Sequence, residues 1–170
     1  MASEIVTTER LYLEIIEERH FEDLYSLLSN EEVQKHFPST LNREETKAFY
    51  DKVQSRYRDD GYCFLAVKRT QDNQFLGICG LLKQEVENEF QMEIGYRFLN
   101  QFWGKGYATE AVNGCVQYVK EKRLFEQLII LSVPENIPSI NVAKRCGFTY
   151  YRDTMFHNLT HGIYVLKINN

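Results

Sequence analysis

Long apolar runs are missing from this 170-residue sequence, and nothing approaches the roughly 20 residues of a membrane span. Cysteine pairs are missing too. Cys63, Cys79, Cys115 and Cys146 form no C-x-x-C and sit among apolar residues or inside predicted elements, so buried reduced thiols are expected. His20, His36, His157 and His161 share no ligand spacing on a helical face, and no metal is expected. There is no basic excess: 20 Lys and Arg stand against 24 Asp and Glu, a net charge of −4. That balance argues against a nucleic-acid surface and mildly favours cationic partners. Repeats, low-complexity stretches and linkers are absent, so one domain over 1–170 is expected. The opening Met-Ala-Ser-Glu-Ile-Val has no basic segment followed by an apolar one, so no secretory leader is read and a cytoplasmic location is expected. Aromatic residues, at 14%, are the one surplus, and suggest a core or cleft rich in Tyr and Phe.

The most informative stretch runs from Glu89 to Lys122. Phe90, Met92, Ile94, Tyr96 and Phe98 alternate with Gln91, Glu93, Gly95 and Arg97, the period of a strand with one buried face. Trp103-Gly104-Lys105-Gly106-Tyr107-Ala108-Thr109-Glu110-Ala111 follows, and the spacing of Ala111, Val112, Cys115, Val116 and Val119 is helical. A strand, a glycine-containing turn and a helix in that order present free backbone N–H groups at the positive end of a helix dipole, a seat for a pyrophosphate. Gly-x-Gly alone would also suit any tight turn. The string is neither the G-x-G-x-x-G dinucleotide fingerprint, which needs glycine at Thr109, nor a Walker loop, since no G-K-[ST] follows.

In chain order, Thr8–Ile15 reads as a first strand, Glu17–Leu28 as an amphipathic helix and Asn30–Val33 as a capped turn that Pro38 ends. Asn42-x-x-Glu45 opens a helix through about Arg58 as a capping box. Cys63–Val67 is a strand buried on both faces, returning after the turn Gln71–Gln74 as Phe75–Leu82. Gly77 and Gly80 in that returning strand mark bulges or close packing. The polar turn Glu85–Asn88 leads into the informative strand. After the long helix come a buried strand at Gln127–Val133, a short helix at Ile137–Arg145 closed by Gly147, and a hairpin of Phe148–Phe156 with Ile163–Ile168. The crossover through Tyr107–Lys122 should set the Met92 and Ile129 strands parallel and adjacent.

The string W-G-K-G-Y-A-T-E-A after E-I-G-Y-R-F closely resembles the acetyl-CoA-binding motif of the GNAT N-acetyltransferase superfamily, in the form used by its ribosomal-protein N-acetyltransferase branch. Gln101-x-x-Gly104-x-Gly106 matches the family pattern literally. Trp103-x-x-Gly106-x-Ala108 keeps its spacing to the helix and is preferred, because the backbone geometry follows the helix start. Thr7–Leu13 resembles the branch's opening strand, and Val133–Ser139 with Arg145-Cys146-Gly147-Phe148 its second cofactor motif. The fold this implies is α/β (α+β). It has a mixed, mostly antiparallel sheet of about seven strands, split between the fourth and fifth, with helices on both faces.

The resemblance implies transfer of an acetyl group from acetyl-CoA, as co-substrate, to a primary amine by direct attack on the thioester. The acceptor would be a protein N-terminal α-amine or a small molecule such as a polyamine, aminoglycoside or amino acid. A non-catalytic acyl-CoA-binding module stays open, as does a homodimer; nucleic acid and membrane are not expected partners. The amine must lose a proton, since an alkylamine of pKa about 10 is mostly ammonium at neutral pH. Glu93 is the candidate base through a water, beside Gly95 where a bulge would open the sheet, with a solvated strand residue as its alternative. Tyr96, Arg97 and Phe98 would hold the acetyl carbonyl and pantetheine through their backbone. Trp103, Gly104, Lys105, Gly106, Tyr107, Ala108 and Thr109 would cradle the phosphates. Asn136 and Ser139 would contact the cofactor from across the split, although either also suits a helix start. Many family members carry a general-acid Tyr four places before the Gly-Phe pair; here that place is Ala143. Ser139 is the catalytic candidate in its stead, and Tyr150, Tyr151 and Tyr164 are further substitutes. The acceptor cleft would be built by Phe21–Pro38, Leu41–Arg58 and the turn Phe156–His161.

Overall fold

The computed structural model describes residues 4–168. Met1–Ser3, the start of the segment in which no leader is read, and Asn169–Asn170 fall outside the described residues. The strands are β1 (Glu4–Thr7), β2 (Leu11–Ile15), β3 (Phe64–Arg69), β4 (Gln74–Val86), β5 (Glu89–Phe98), β6 (Gln127–Ser132), β7 (Thr149–Phe156) and β8 (Leu159–Lys167). The α-helices are α1 (Phe21–Leu28), α2 (Arg43–Asp59), α3 (Tyr107–Lys122) and α4 (Ile137–Arg145). They form one sheet of 8 strands in the order β1-β2-β3-β4-β5-β6-β8-β7, with β5–β6 the parallel pair and the others antiparallel.

The eighth strand comes from the N-terminus. Thr8–Ile15 is not one strand, because the chain turns at Thr8–Arg10 and β1 folds back on β2. Thr8 makes that turn: its N–H donates to the Leu11 carbonyl at 2.9 Å and its hydroxyl accepts from the Leu11 N–H at 3.2 Å. The first helix is likewise shorter than expected, with a 3₁₀ turn at Glu18–His20 ahead of α1. The turn expected at Glu85–Asn88 tightens to Glu87-Asn88, and that expected at Phe156–His161 to His157-Asn158. All four residues have positive φ, the backbone of a two-residue hairpin loop.

Period-two alternation deals the strand residues onto two faces. Leu65, Val67, Cys79, Leu81, Ile94 and Phe98 pack against Ala111, Val112, Cys115 and Val116 of α3 and Ile140 and Ala143 of α4. Phe64, Ala66, Phe75, Ile78 and Leu82 pack against Leu24, Leu27 and Leu28 of α1 and Val53 of α2. The sheet is therefore covered on both sides, which corrects the expectation that β5 has one buried face. At the far end of β5, Phe90 is 69% exposed, while Glu93, on the face expected to be polar, is only 8% exposed.

Two details of the sheet position the site. The β4–β5 register runs unbroken from Gly77↔Phe98 to Val86↔Glu89, so no bulge lies at Gly95. Gly95 is glycine for space: a Cβ there would stand 2.7 Å from Leu82 Cδ1 and 3.0 Å from the Phe64 ring. The opening comes from the neighbouring pair, where β5 and β6 are in register only at Glu93↔Ile129.

Candidate active site

The turn before α3 is built from two left-handed glycines. Gly104 has φ 76° and Gly106, the N-cap of α3, has φ 81°, values that cost a residue with a Cβ. The first intrahelical bond runs from Glu110 N–H to the Gly106 carbonyl at 3.0 Å, so the N–H groups of Tyr107, Ala108 and Thr109 have no helical partner. The helix begins where the Trp103-x-x-Gly106-x-Ala108 register places it. Trp103, Gly104, Lys105 and Gly106 are all exposed, and the Trp103 indole N–H donates to the Phe98 carbonyl at 2.8 Å.

Arg10, which the sequence pattern does not single out, stiffens this turn. Its Nη1 donates to the Lys105 carbonyl at 3.0 Å, its Nε to Glu110 Oε1 at 2.6 Å, and its guanidinium lies 4.4 Å from the Tyr107 ring centroid. Glu110 also accepts from the Arg10 backbone N–H at 2.8 Å and from the Thr8 hydroxyl at 2.5 Å. The β1–β2 turn and the first turn of α3 are thus one polar unit. No local pattern could have revealed it, because the partners lie about 100 residues apart.

Glu93 lies where β5 and β6 begin to part. Burial pushes its carboxyl up to about 7, while hydrogen bonding from Gln84 and the backbone of Leu131 pulls it back. Gln84 Nε2 donates to Glu93 Oε1 at 2.9 Å. A carboxyl so placed is not a solvated strand residue. Burial brings its titration toward neutral pH.

Across the opening stand Asn136 and Ser139 at the start of α4. Asn136 Oδ1 accepts from the Ser139 N–H at 3.3 Å, so Asn136 is the helix N-cap. The Ser139 hydroxyl donates to the Tyr96 hydroxyl at 3.0 Å, and that hydroxyl donates to the Ser139 carbonyl at 2.8 Å. The Tyr96 side chain therefore spans from β5 to α4, and burial raises its pKa, so it stays protonated at neutral pH. The period-two pattern groups Tyr96 with the core residues of β5, and the family resemblance implies only a backbone role for it. Its hydroxyl lies at the N-terminal end of α4, bonded to Ser139. Ala143, at the place of the usual acid, is fully buried. Tyr150 and Tyr151 are exposed on β7, and Tyr164 is buried on β8 with its ring against Tyr150.

Arg97 points away from the Tyr96 side, toward α1 and α2. Its guanidinium stacks 3.8 Å from the Phe37 ring centroid, and its Nη1 donates to Gln34 Oε1 at 3.0 Å. The structure thus groups Glu93 and Arg97 on one face of β5, Tyr96 and Ser139 on the other, and the Gly104–Thr109 turn at the end of α3. Among the described residues no helix is long and apolar enough to cross a membrane.

Comparison with known proteins places this arrangement. A family model described as an acetyltransferase (GNAT) domain matches residues 10–149. The uncharacterized protein YkkB of Bacillus subtilis (strain 168) is 31% identical over 166 residues, covering 97% of this chain and 96% of that protein. The uncharacterized N-acetyltransferase YnaD of the same organism is 30% identical over 143 residues, covering 84% and 81%. Among solved structures, the ribosomal L7/L12 α-N-protein acetyltransferase RimL in complex with coenzyme A superposes with a TM-score of 0.79 at 19% identity, covering 97% of this chain and 98% of that one. At that identity the likeness is one of fold.

Proposed function

The chain belongs to the GNAT acetyltransferase family, and from that membership we propose that it moves the acetyl group of acetyl-CoA to a primary amine by direct attack, without an acyl-enzyme. The observation that carries this reading is the convergence at the parted strands: a buried carboxyl of pKa about 7 faces one side and a protonated tyrosine hydroxyl the other, beside an anion seat. The structure's fit to a diphosphate rests on the two positive-φ glycines and the unpaired N–H groups of Tyr107, Ala108 and Thr109. Lys105 adds positive charge beside them, while the Arg10 charge is paired with Glu110. When bound, the co-substrate supplies an activated thioester.

The side chains divide the remaining chemistry between them. Glu93 takes, through a water, the proton that the acceptor ammonium must lose before nitrogen can bond to the thioester carbon. The β5 edge that faces away from β4 is unpaired past the Glu93↔Ile129 pair, and there the Tyr96 and Phe98 N–H groups would meet the carbonyl oxygen as charge builds on it, whereas the Arg97 N–H turns toward β4. As the carbon–sulfur bond breaks, the Tyr96 hydroxyl would give its proton to the leaving sulfur and be restored by the second proton that the nitrogen sheds in becoming an amide. Ser139, which donates to that hydroxyl, stabilises the negative charge left on it. Asn136 holds the first turn of α4, and with it Ser139, in place.

RimL and the other ribosomal-protein acetyltransferases among the structural neighbours support a protein N-terminal α-amine as one acceptor class. A small-molecule amine is the other. The test is a thiol-release assay with acetyl-CoA and a panel of N-terminal peptides and small amines, with the acetylated product identified by mass. Release that depends on the amine, with product heavier by one acetyl group, is expected. Binding of acetyl-CoA without transfer to any amine would instead identify an acyl-CoA-binding module.

A further inference from the structure

We propose that the acceptor carries a carboxylate near its amine, and that the free edge of the Arg97 guanidinium binds it. The proposal rests on the reading of this cleft as the amine site of an acetyltransferase. Arg97 lies four residues beyond Glu93 on the same face of β5, roughly 13 Å along the strand. The long arginine side chain and an acceptor of a few bonds can span that gap. Tyr96 and Phe98 face the α3 side with Tyr107, so Arg97 stands apart from the anion seat.

The guanidinium is held flat and only partly satisfied. Its faces are walled by Phe37, Phe49 and Phe64, with centroids at 3.8, 5.6 and 5.9 Å. Nη1 donates to Gln34 Oε1, and Gln34 is fixed in turn by its Nε2 bond to the Ser39 carbonyl at 3.1 Å. Among the described residues no other Arg97 nitrogen has a hydrogen-bond partner. None is sealed from solvent either, because the buried side-chain polar atoms without a partner are His20 Nε2 and Thr46 Oγ1. The remaining donors therefore reach solvent and are free to meet an anion that enters the cleft. Glu93 is the carboxyl that acts on Arg97, and at about 7 it is only part-charged near neutrality. Burial holds the guanidinium at about 10, still charged at neutral pH.

A planar cation lying over the Phe37 ring offers its edge to a ligand. Two N–H groups on that edge match the two oxygens of a planar carboxylate. The same charge disfavours polyamines and other polycationic acceptors. For a peptide acceptor, the side chain of an N-terminal aspartate or glutamate supplies the group; for a small molecule, an amino acid does.

The experiment compares kcat/KM for α-, β- and γ-amino acids, and for peptides beginning with aspartate, with that for their matched carboxamides. Wild type should favour the carboxylate by about 10–100-fold. Arg97→Gln should bring that ratio to about one, and Arg97→Lys should restore only part of it. The ratio is internal to each variant, so a general loss of folding or turnover cancels. A second arm titrates N-acetyl-β-alanine and its carboxamide into the CoA complex by calorimetry. Carboxylate binding lost in Arg97→Gln, without turnover of any amine, would support this inference and refute acetyl transfer. A wild-type ratio near one overturns the proposal, as does an equal ratio in Arg97→Gln.

Discussion

Glu93→Gln replaces the buried carboxyl with a group of the same shape that can still accept from Gln84 but cannot take a proton. With a pKa of about 7, the wild-type carboxyl is roughly one tenth ionised at pH 6 and nine tenths at pH 8. General-base catalysis contributes about 10²–10⁴-fold. The ratio of wild-type to variant kcat/KM should therefore climb about tenfold from pH 6 to 8 and level off near that factor. It should then decline as the pH nears the amine's own pKa of about 10, where acceptors arrive neutral. The same burial has a thermodynamic signature. Because the folded pKa is raised above the ordinary 4.5, the native state binds more protons than the unfolded chain between those values. Stability from this group is complete below pH 4.5 and is lost as pH rises through 7. The interval of about 2.5 units amounts to about 3 kcal/mol. Urea melts at pH 4.5 and 8 should show the variant gaining that much on wild type. A kinetic ratio of one at every pH would make Glu93 a spectator, and parallel melts would show that its carboxyl is not desolvated.

Saturating CoA at about 100 times its dissociation constant should stabilise the protein by about 2.7 kcal/mol, raising Tm by roughly 5–10 °C in a thermal melt. No shift would count against the α3 anion seat. Gly106→Val places a branched side chain at φ 81°, at a cost of about 1–2 kcal/mol, and CoA affinity measured by calorimetry should fall far more than amine affinity. Tyr96→Phe removes the hydroxyl bridging to Ser139. Stability should drop by about 1 kcal/mol and kcat by at least about 10²-fold with CoA binding intact, and an unchanged kcat would exclude Tyr96 as the acid. Gly80→Ala would set a Cβ 2.3 Å from the Cys63 carbonyl oxygen; a loss of about 3 kcal/mol or more in denaturant melts is expected, because β3 itself must move.

Much of this molecule is written locally. Period-two alternation and capping chemistry place most elements within a few residues, because side-chain direction and helix-end hydrogen bonding depend on neighbours in the chain. The Asn42–Glu45 capping box forms in both directions, at 2.8 and 3.0 Å. The Trp103–Ala111 string marks the turn and helix start, since left-handed glycines and unpaired N–H groups follow from the residue types themselves. What the sequence could not show is which buried-face residues do more than pack. Tyr96 and Ile94 share a face of β5 and both pack in the α4-side core, yet Tyr96 also hydrogen-bonds Ser139 of α4, past the point where β6 pairs with β5. The sequence leaves Glu93 as either a base or a solvated strand carboxylate, and only its burial beside Leu82 of β4 and Ile129 of β6 shows it desolvated. Arg97 becomes a walled cation only when Gln34 and Phe37 fold over from a loop some 60 residues earlier. A carboxyl's proton affinity and a cation's unmet donors are set by what surrounds them in space, and only the tertiary structure decides that.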